Sequence, residues 1–236
     1  MQDKTVKVGL FRTTGHPCSY LEDRIAATLF LDPTLKIGKQ LHTAFSKQGY
    51  RRSGELLYKP DCKFCNACIS CRIPIINFKL RKSYQRIFKR NQDLEVTISR
   101  DLNYSDSYAL YESYINNRHS DGDMFPASEE QFKSFILKKT DETVFFNFFD
   151  QGRLVAVSVV DILSDGLSAV YSFYEPFEKK RSLGTYSILH LANYASKKEL
   201  SYLYLGYWVK GCPKMHYKIK FRPLEMLIDG EWLTIN

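Results

Sequence analysis

The stretch from residue 143 to residue 207 limits the fold more than any other part of the chain. T-V-F-F-N-F-F (143–149), L-V-A-V-S-V-V-D-I (154–162) and L-S-A-V-Y-S-F-Y (167–174) are runs of β-branched and aromatic residues. Such runs fit a pleated, half-buried surface and predict strands. D-Q-G-R and L-S-D-G stand between them, and both are turn chemistry, so the three strands form successive antiparallel hairpins. A polar loop, E-P-F-E-K-K-R-S (175–182), leads into a helix from about Leu183 to Glu199, and Y-L-Y-L-G-Y (202–207) supplies a fourth strand.

This order describes the centre of a GCN5-related acyltransferase (GNAT-like) fold, an α+β arrangement with a mixed, mostly antiparallel sheet flanked by helices. In that architecture the loop before the helix turns backbone N–H groups and the positive helix end toward the acyl donor's phosphates. Ser182, Gly184 and Thr185 of R-S-L-G-T occupy that place, and an ordinary helix cap explains the same residues equally well. Upstream, helices are expected over 36–49, 81–91, 104–117 and 128–139, and strands over 72–78 and 95–99. S-E-E-Q opens the fourth of these helices as a capping box. The expected division is an N-terminal Cys-rich and basic region over 1–100 and an acyltransferase-like region over 101–236, packed as one unit.

Charge narrows the partner. The chain of 236 residues carries a net charge of +8, which favours a polyanion. From Arg72 to Gln92 there are seven Lys/Arg and no acid, and from Tyr207 to Pro223 five more and again no acid. Acid-free basic blocks interleaved with tyrosines suit a surface that tracks phosphates, although a positive charge that only aids solubility is the simpler reading. No run of eighteen apolar residues is present, so no membrane span is expected. The first residues lack the apolar core of a secretory signal, so the cytoplasm is the expected compartment.

Four of the six cysteines fall in C-K-F-C-N-A-C-I-S-C (62–71). Cytosolic thiols stay reduced, and thiolates at this spacing can hold a soft metal ion or an iron–sulfur cluster. Even spacing leaves little slack to close a tetrahedron within the run, so one ligand is expected from elsewhere. Cys18 and Cys212 are the spare cysteines, and His16 is a nitrogen alternative. No G-x-S-x-G, P-loop or H-E-x-x-H motif is present.

Several motifs stand in a fixed order: H-P-C-S-Y-L (16–21), G-Y-R-R-S-G (49–54), Y-K-P-D-C-x-x-C-x-A-C (58–68), R-H-S-D-G-D-M (118–124), Y-S-F-Y-E-P (171–176), R-S-L-G-T-Y-S (181–187) and Y-L-G-Y-W-V-K-G-C-P-K-M-H-Y-K (204–218). Together they resemble the arginyl-tRNA–protein transferase family, from about residue 8 to residue 233. The short chain and its H-P-C-S-Y-L opening look most like the bacterial branch, the aspartate/glutamate leucyltransferases. The resemblance implies that leucine, or arginine as the alternative donor, moves from charged tRNA to the α-amino group of a protein beginning with Asp or Glu. That product is an N-degron, made in the cytoplasm without coenzyme A. The resemblance also implies Cys18, Cys62, Cys65 and Cys68 as the ligand set of an iron–sulfur cluster or zinc, with Cys71 outside it.

Candidate roles follow from the chemistry of aminoacyl transfer. Asp161, at the end of a predicted central strand, or His119 could deprotonate the acceptor ammonium. Arg51, Arg52, Arg72 and Arg118 are candidates for the acceptor's carboxylate. Tyr171, Tyr174 and Tyr207 could stack on the terminal adenine of the tRNA. Lys210, Lys214, Lys218 and the 79–90 block could hold its acceptor stem, and Ser182, Gly184 and Thr185 its terminal phosphate or the reaction's oxyanion. Two other readings of the chain are a coenzyme A-dependent N-acetyltransferase and a non-catalytic, zinc-bearing RNA-binding module. The first lacks its second glycine step in R-S-L-G-T, and the second leaves the strand–loop–helix–strand unit without a role.

Overall fold

The computed structural model describes residues 8–235. Small sheets come first. Strands β1 (Leu10–Arg12), β2 (His16–Pro17), β3 (Ile25–Ala26) and β4 (Thr28–Leu31) precede helix α1 (Lys39–Lys47), and β5 (Arg51–Ser53) and β6 (Leu56–Pro60) follow it. They form a four-stranded sheet in the order β1-β4-β6-β5 and a β2–β3 ribbon. Next come β7 (Cys68–Pro74), α2 (Lys82–Arg90), β8 (Glu95–Ser99), α3 (Tyr104–Arg118) and the short α4 (Glu129–Gln131), which continues in π-helical turns over Phe132–Leu137. The chain then lays down β9 (Thr143–Asp150), β10 (Arg153–Ile162), β11 (Gly166–Tyr174), α5 (Leu183–Lys197) and β12 (Tyr202–Val209). A 3-10 helix over Pro213–Lys220, then β13 (Leu224–Ile228) and β14 (Glu231–Ile235), complete the described chain.

The large sheet has eight strands in the order β14-β13-β7-β12-β11-β10-β9-β8. The predicted meander is present: β9 pairs antiparallel with β10, and β10 with β11. Strand β12 returns parallel to β11 after α5, as a helical connection allows. Both faces of the central strands are covered, so their sequences are nearly continuous apolar runs. Phe146, Phe148, Val155 and Leu167 pack with Leu189 and Leu191 of α5. Phe145, Val157, Val159 and Phe173 pack with Tyr111 and Ile115 of α3.

Two differences from the sequence expectation matter for the site. Strand β7 spans 68–74 rather than 72–78, so Cys68 and Cys71 lie on a strand and a 3-10 turn takes Ile75–Asn77. Strands β7 and β8 also lie before residue 100 yet belong to the same sheet as β9–β14. The two expected regions are therefore interleaved within one sheet.

Candidate functional site

The sheet opens where β11 and β12 part. These strands are in register only at Gly166↔Tyr202, Leu167↔Leu203 and Ser168↔Tyr204, and beyond Ser168 the carbonyls of β11 on that side need other partners. Arg51 of β5 fills the fork: its Nη2 donates to the carbonyl of Ala169 at 2.7 Å and lies 3.4 Å from that of Val170. On the opposite side it lies against Gly206 of β12, where a Cβ would stand 2.6 Å from its Cζ. Gly206 also has φ +76°, so this position calls for glycine twice over. An isolated glycine in a strand pattern is a sequence signal for such close approach.

Tyr174, at the end of β11, is the second centre of the site. Its ring lies 4.8 Å from that of Tyr114 and sits against Gly184 at the start of α5, where a Cβ would stand 2.7 Å from Cε1. The guanidinium of Arg118 lies 5.6 Å from the centre of the Tyr174 ring. His119 shares a hydrogen bond between Nε2 and the Tyr114 hydroxyl at 2.9 Å. Burial, and then the nearby charges of Arg118 and Lys214, hold the His119 imidazole below its ordinary value, so it is neutral at neutral pH. Lys214 is exposed and paired with Asp121 at 2.8 Å. Tyr217, from the 3-10 helix, is exposed, with the Lys218 ammonium 5.8 Å from its ring centre. Tyr114, Tyr217 and Gly206 were not singled out from the sequence.

Helix α5 begins in an unusual way. Ser182 is left-handed, at φ 53° and ψ 45°, and its side chain makes no capping bond. A serine held there stores strain. Arg181 braces the loop through Asp93 at 2.8 Å and Asp150 at 3.0 Å. Asn91, at the end of α2, donates to the Arg181 carbonyl at 2.9 Å. The basic helix α2 is thereby fixed beside the start of α5. Lys82, Arg86 and Lys89 of α2 and Lys179 and Lys180 of the loop are exposed. A surface cavity of about 500 Å³ lies between them, lined by Arg90, Asp93, Glu178, Lys180 and Arg181.

Several expected residues stand elsewhere. Asp161 is 0% exposed; Arg52 grips both its oxygens, at 2.6 and 2.8 Å, and Thr143 donates a third bond at 2.7 Å. It has no free oxygen facing a substrate, and Arg52 is consumed by the same pair. Arg72 is likewise taken, by Glu225 at 2.6 Å and by the rings of Tyr202 and Trp232 on either side. Lys218 is buried, its ammonium donating to the Tyr207 carbonyl at 2.6 Å, and burial pushes it down to about 8; it cannot lie on a phosphate-tracking surface. Tyr207 is buried too, its hydroxyl donating to the Gly49 carbonyl, so no base can stack on it. Lys210 is exposed, and Tyr171 and Thr185 are half-buried.

The cysteines gather at one end of the sheet. Cys18 directly follows β2, inside the β2–β3 ribbon, where its N–H donates to the Arg24 carbonyl at 2.9 Å; beyond β3, the Ala27 carbonyl accepts from Asp61 N–H at 2.8 Å, just before Cys62. Burial pushes the Cys68 thiol up to about 12, and the neighbouring thiols of Cys18, Cys62, Cys65 and Cys212 add to the effect. Cys71 lies on the other face of β7, its thiol bonded to the Gly206 carbonyl at 3.2 Å inside the core. His16 is exposed beside the Pro17 carbonyl. Among the described residues no group of three or more side chains stands at metal-binding separations.

The eight-stranded sheet, forked beside the start of a helix, has the mixed, mostly antiparallel α+β layout that the sequence predicts. Two family models, the N terminus and the C terminus of arginine-tRNA-protein transferase, match residues 16–86 and 106–228. The aspartate/glutamate leucyltransferase of Hahella chejuensis is 47% identical over 225 residues, covering 95% of this chain and 96% of that protein. That of Pseudomonas fluorescens is 46% identical over 230 residues, covering 98% of each. Among solved structures, the ribosomal-protein-S18-alanine N-acetyltransferase of Escherichia coli superimposes with a TM-score of 0.34 at 19% identity, over 46% of this chain and 64% of that one. The chain belongs to the arginine-tRNA-protein transferase family and is a transferase enzyme.

Proposed function

We propose that the protein moves leucine from leucyl-tRNA to the α-amino group of proteins that begin with Asp or Glu, marking them for degradation in the cytoplasm. The observation that carries this reading is the convergence of Arg118, neutral His119, Tyr114, Tyr174 and the start of α5 beside an open strand fork. Leucine as the donor follows the names of the relatives; arginine is the alternative.

The reaction needs little acid–base machinery. A free α-amino group has a pKa of about 7.7–8.0, so neutralising it at pH 7 costs only about 1 kcal/mol. His119, neutral and beside the Tyr114 hydroxyl, takes the proton that the ammonium must lose. Nitrogen then attacks the ester carbonyl, the tetrahedral intermediate collapses, and the tRNA 3′ oxygen leaves as a hydroxyl with the second proton that the nitrogen sheds. Holding amine and ester together supplies most of the rate, roughly 7–11 kcal/mol. Arg118 and the α5 start face the tRNA end, and the exposed cations of α2 and the 179–180 loop track its phosphates.

Cys18, Cys62, Cys65 and Cys68 would hold a cluster or zinc. The thiols of Cys18, Cys62 and Cys65 all act on Cys68, as does that of Cys212, and soft sulfur donors suit either centre. Bound there, it would supply a structural tie between the β2–β3 ribbon and β7. The test of the reaction mixes the protein with leucyl-tRNA or arginyl-tRNA, each labelled in the amino acid, and peptides beginning Asp, Glu or Ala. Label is expected on the acidic peptides from leucyl-tRNA. None from either tRNA would contradict the proposal.

A further inference from the structure

Three arginines, two on β5 and one on β7, are buried, and they differ in one respect. Arg52 and Arg72 each hold a carboxylate at 2.6 Å. Arg51 is in no ion pair among the described residues; its Nη2 reaches the Ala169 carbonyl, and its Nη1 is buried with nothing to accept from it. A desolvated guanidinium N–H without an acceptor is costly to keep. The strand fork nonetheless holds it in place, between the freed β11 carbonyls and a position where any Cβ would collide with it.

A second cation lies close by. The Lys218 ammonium is buried and bonded only to the Tyr207 carbonyl, and the Arg51 charge acts directly on it. Neither cation is paired with a carboxylate among the described residues, and the titratable groups that feel the Arg51 charge include the phenols of Tyr20, Tyr58, Tyr207 and Tyr217, the Cys71 thiol and the His42 imidazole. Two buried like charges with no anion form a receptor for one. The fork's depth selects the kind of anion. Arg51 is only 9% exposed, so a carboxylate on a short stem suits it better than a phosphodiester flanked by two riboses. Arg118, by contrast, is exposed, where water screens a charge too well to impose a strict requirement.

We propose that Arg51, set in the fork between β11 and β12, receives the side-chain carboxylate of the acceptor's first residue and makes an acidic residue a requirement. This rests on the aminoacyl transfer proposed above. The test compares peptides beginning Asp and Asn, which differ in charge but little in shape, as acceptors for the unmodified protein, Arg51→Met and Arg51→Lys. Circular dichroism melts check that each variant folds. The acceptor KM for the Asp peptide is expected to rise about 10- to 150-fold in Arg51→Met, the range for losing one charge-assisted hydrogen bond, with the preference for Asp over Asn collapsing and the KM for aminoacyl-tRNA unchanged. Arg51→Lys is expected to keep part of the preference, and it decides the matter alone if Arg51→Met does not melt cooperatively. An unchanged Asp-over-Asn preference in a folded variant, or a rise in the tRNA KM instead, overturns the assignment. Absence of transfer by the unmodified protein overturns the proposed reaction and this assignment together.

Discussion

Arg51 and Arg52 are neighbours on β5, yet alternation along the strand sends them to different surroundings. Arg52 closes a buried pair with Asp161, joining the small sheet to β10. His42 stands 3.8 Å from the same carboxylate, and burial holds its imidazole below the ordinary value, so the pair is not shared with a second cation at neutral pH. Removing one partner leaves the other charge buried and alone, so Arg52→Met is expected to destabilise the fold by about 3–5 kcal/mol in urea denaturation. Asp161→Asn is expected to fall in the same direction. A variant of Asp161 that keeps full stability while losing transfer would instead restore it as the base. His119→Gln is expected to lower kcat by about 10²–10⁴-fold, with little change in the KM for tRNA. An unchanged kcat would remove His119 from the proton transfer. In the sequence Asp161 stands as the first candidate and His119 as the alternative, because burial is a tertiary property. A strand-end carboxylate reads the same whether it faces solvent or an arginine from residue 52.

The elements that reach the site by local chemistry were the most legible. Hairpin turns and β-branched runs placed β9, β10 and β11 within a few residues, and the polar loop marked α5. Strands β1 to β6 are two to five residues long, too short for a two-residue period to stand out. They are held instead by pairing with distant partners, as in Leu10↔Leu31. The second basic block did not behave as one unit. Its Pro213–Lys220 turn buries Lys218 and exposes Lys214, a split that charge counting cannot see. Helix α2 does act as a surface: only Tyr84 is buried on it, stacked on Phe221 at 5.4 Å. Reversing Lys82, Arg86 and Lys89 to Glu is therefore expected to raise the KM for aminoacyl-tRNA and leave the melting temperature nearly unchanged. The salt dependence of tRNA binding should flatten by about 0.7–0.9 per lost phosphate contact. Unaltered tRNA binding would move the acceptor stem to another face.

On the scale of the whole molecule, β7 carries two connections at once. One face presents Cys68 to the other thiols, and the other buries Cys71 against Gly206 at the fork. A centre bound at the cysteines would thus be one strand away from the cation that we assign to the acceptor. Protein purified without oxygen is expected to carry iron or zinc by metal analysis, to lose it in Cys65→Ala and to retain it in Cys71→Ala. Retention in Cys65→Ala would exclude that residue as a ligand. The sequence pointed to the gathering of Cys18 with the 62–68 run only through the family motifs, since more than forty residues separate them and nothing local joins them. Bond formation at the acceptor's α-amino group is the central event. Tandem mass spectrometry of an Asp-initiated peptide after incubation with the protein and leucyl-tRNA tests it most directly. One leucine residue added in amide linkage to the α-amino group, and none on the same peptide with that group acetylated, is the predicted result; an unmodified free peptide, or addition elsewhere than the α-amino group, would contradict it.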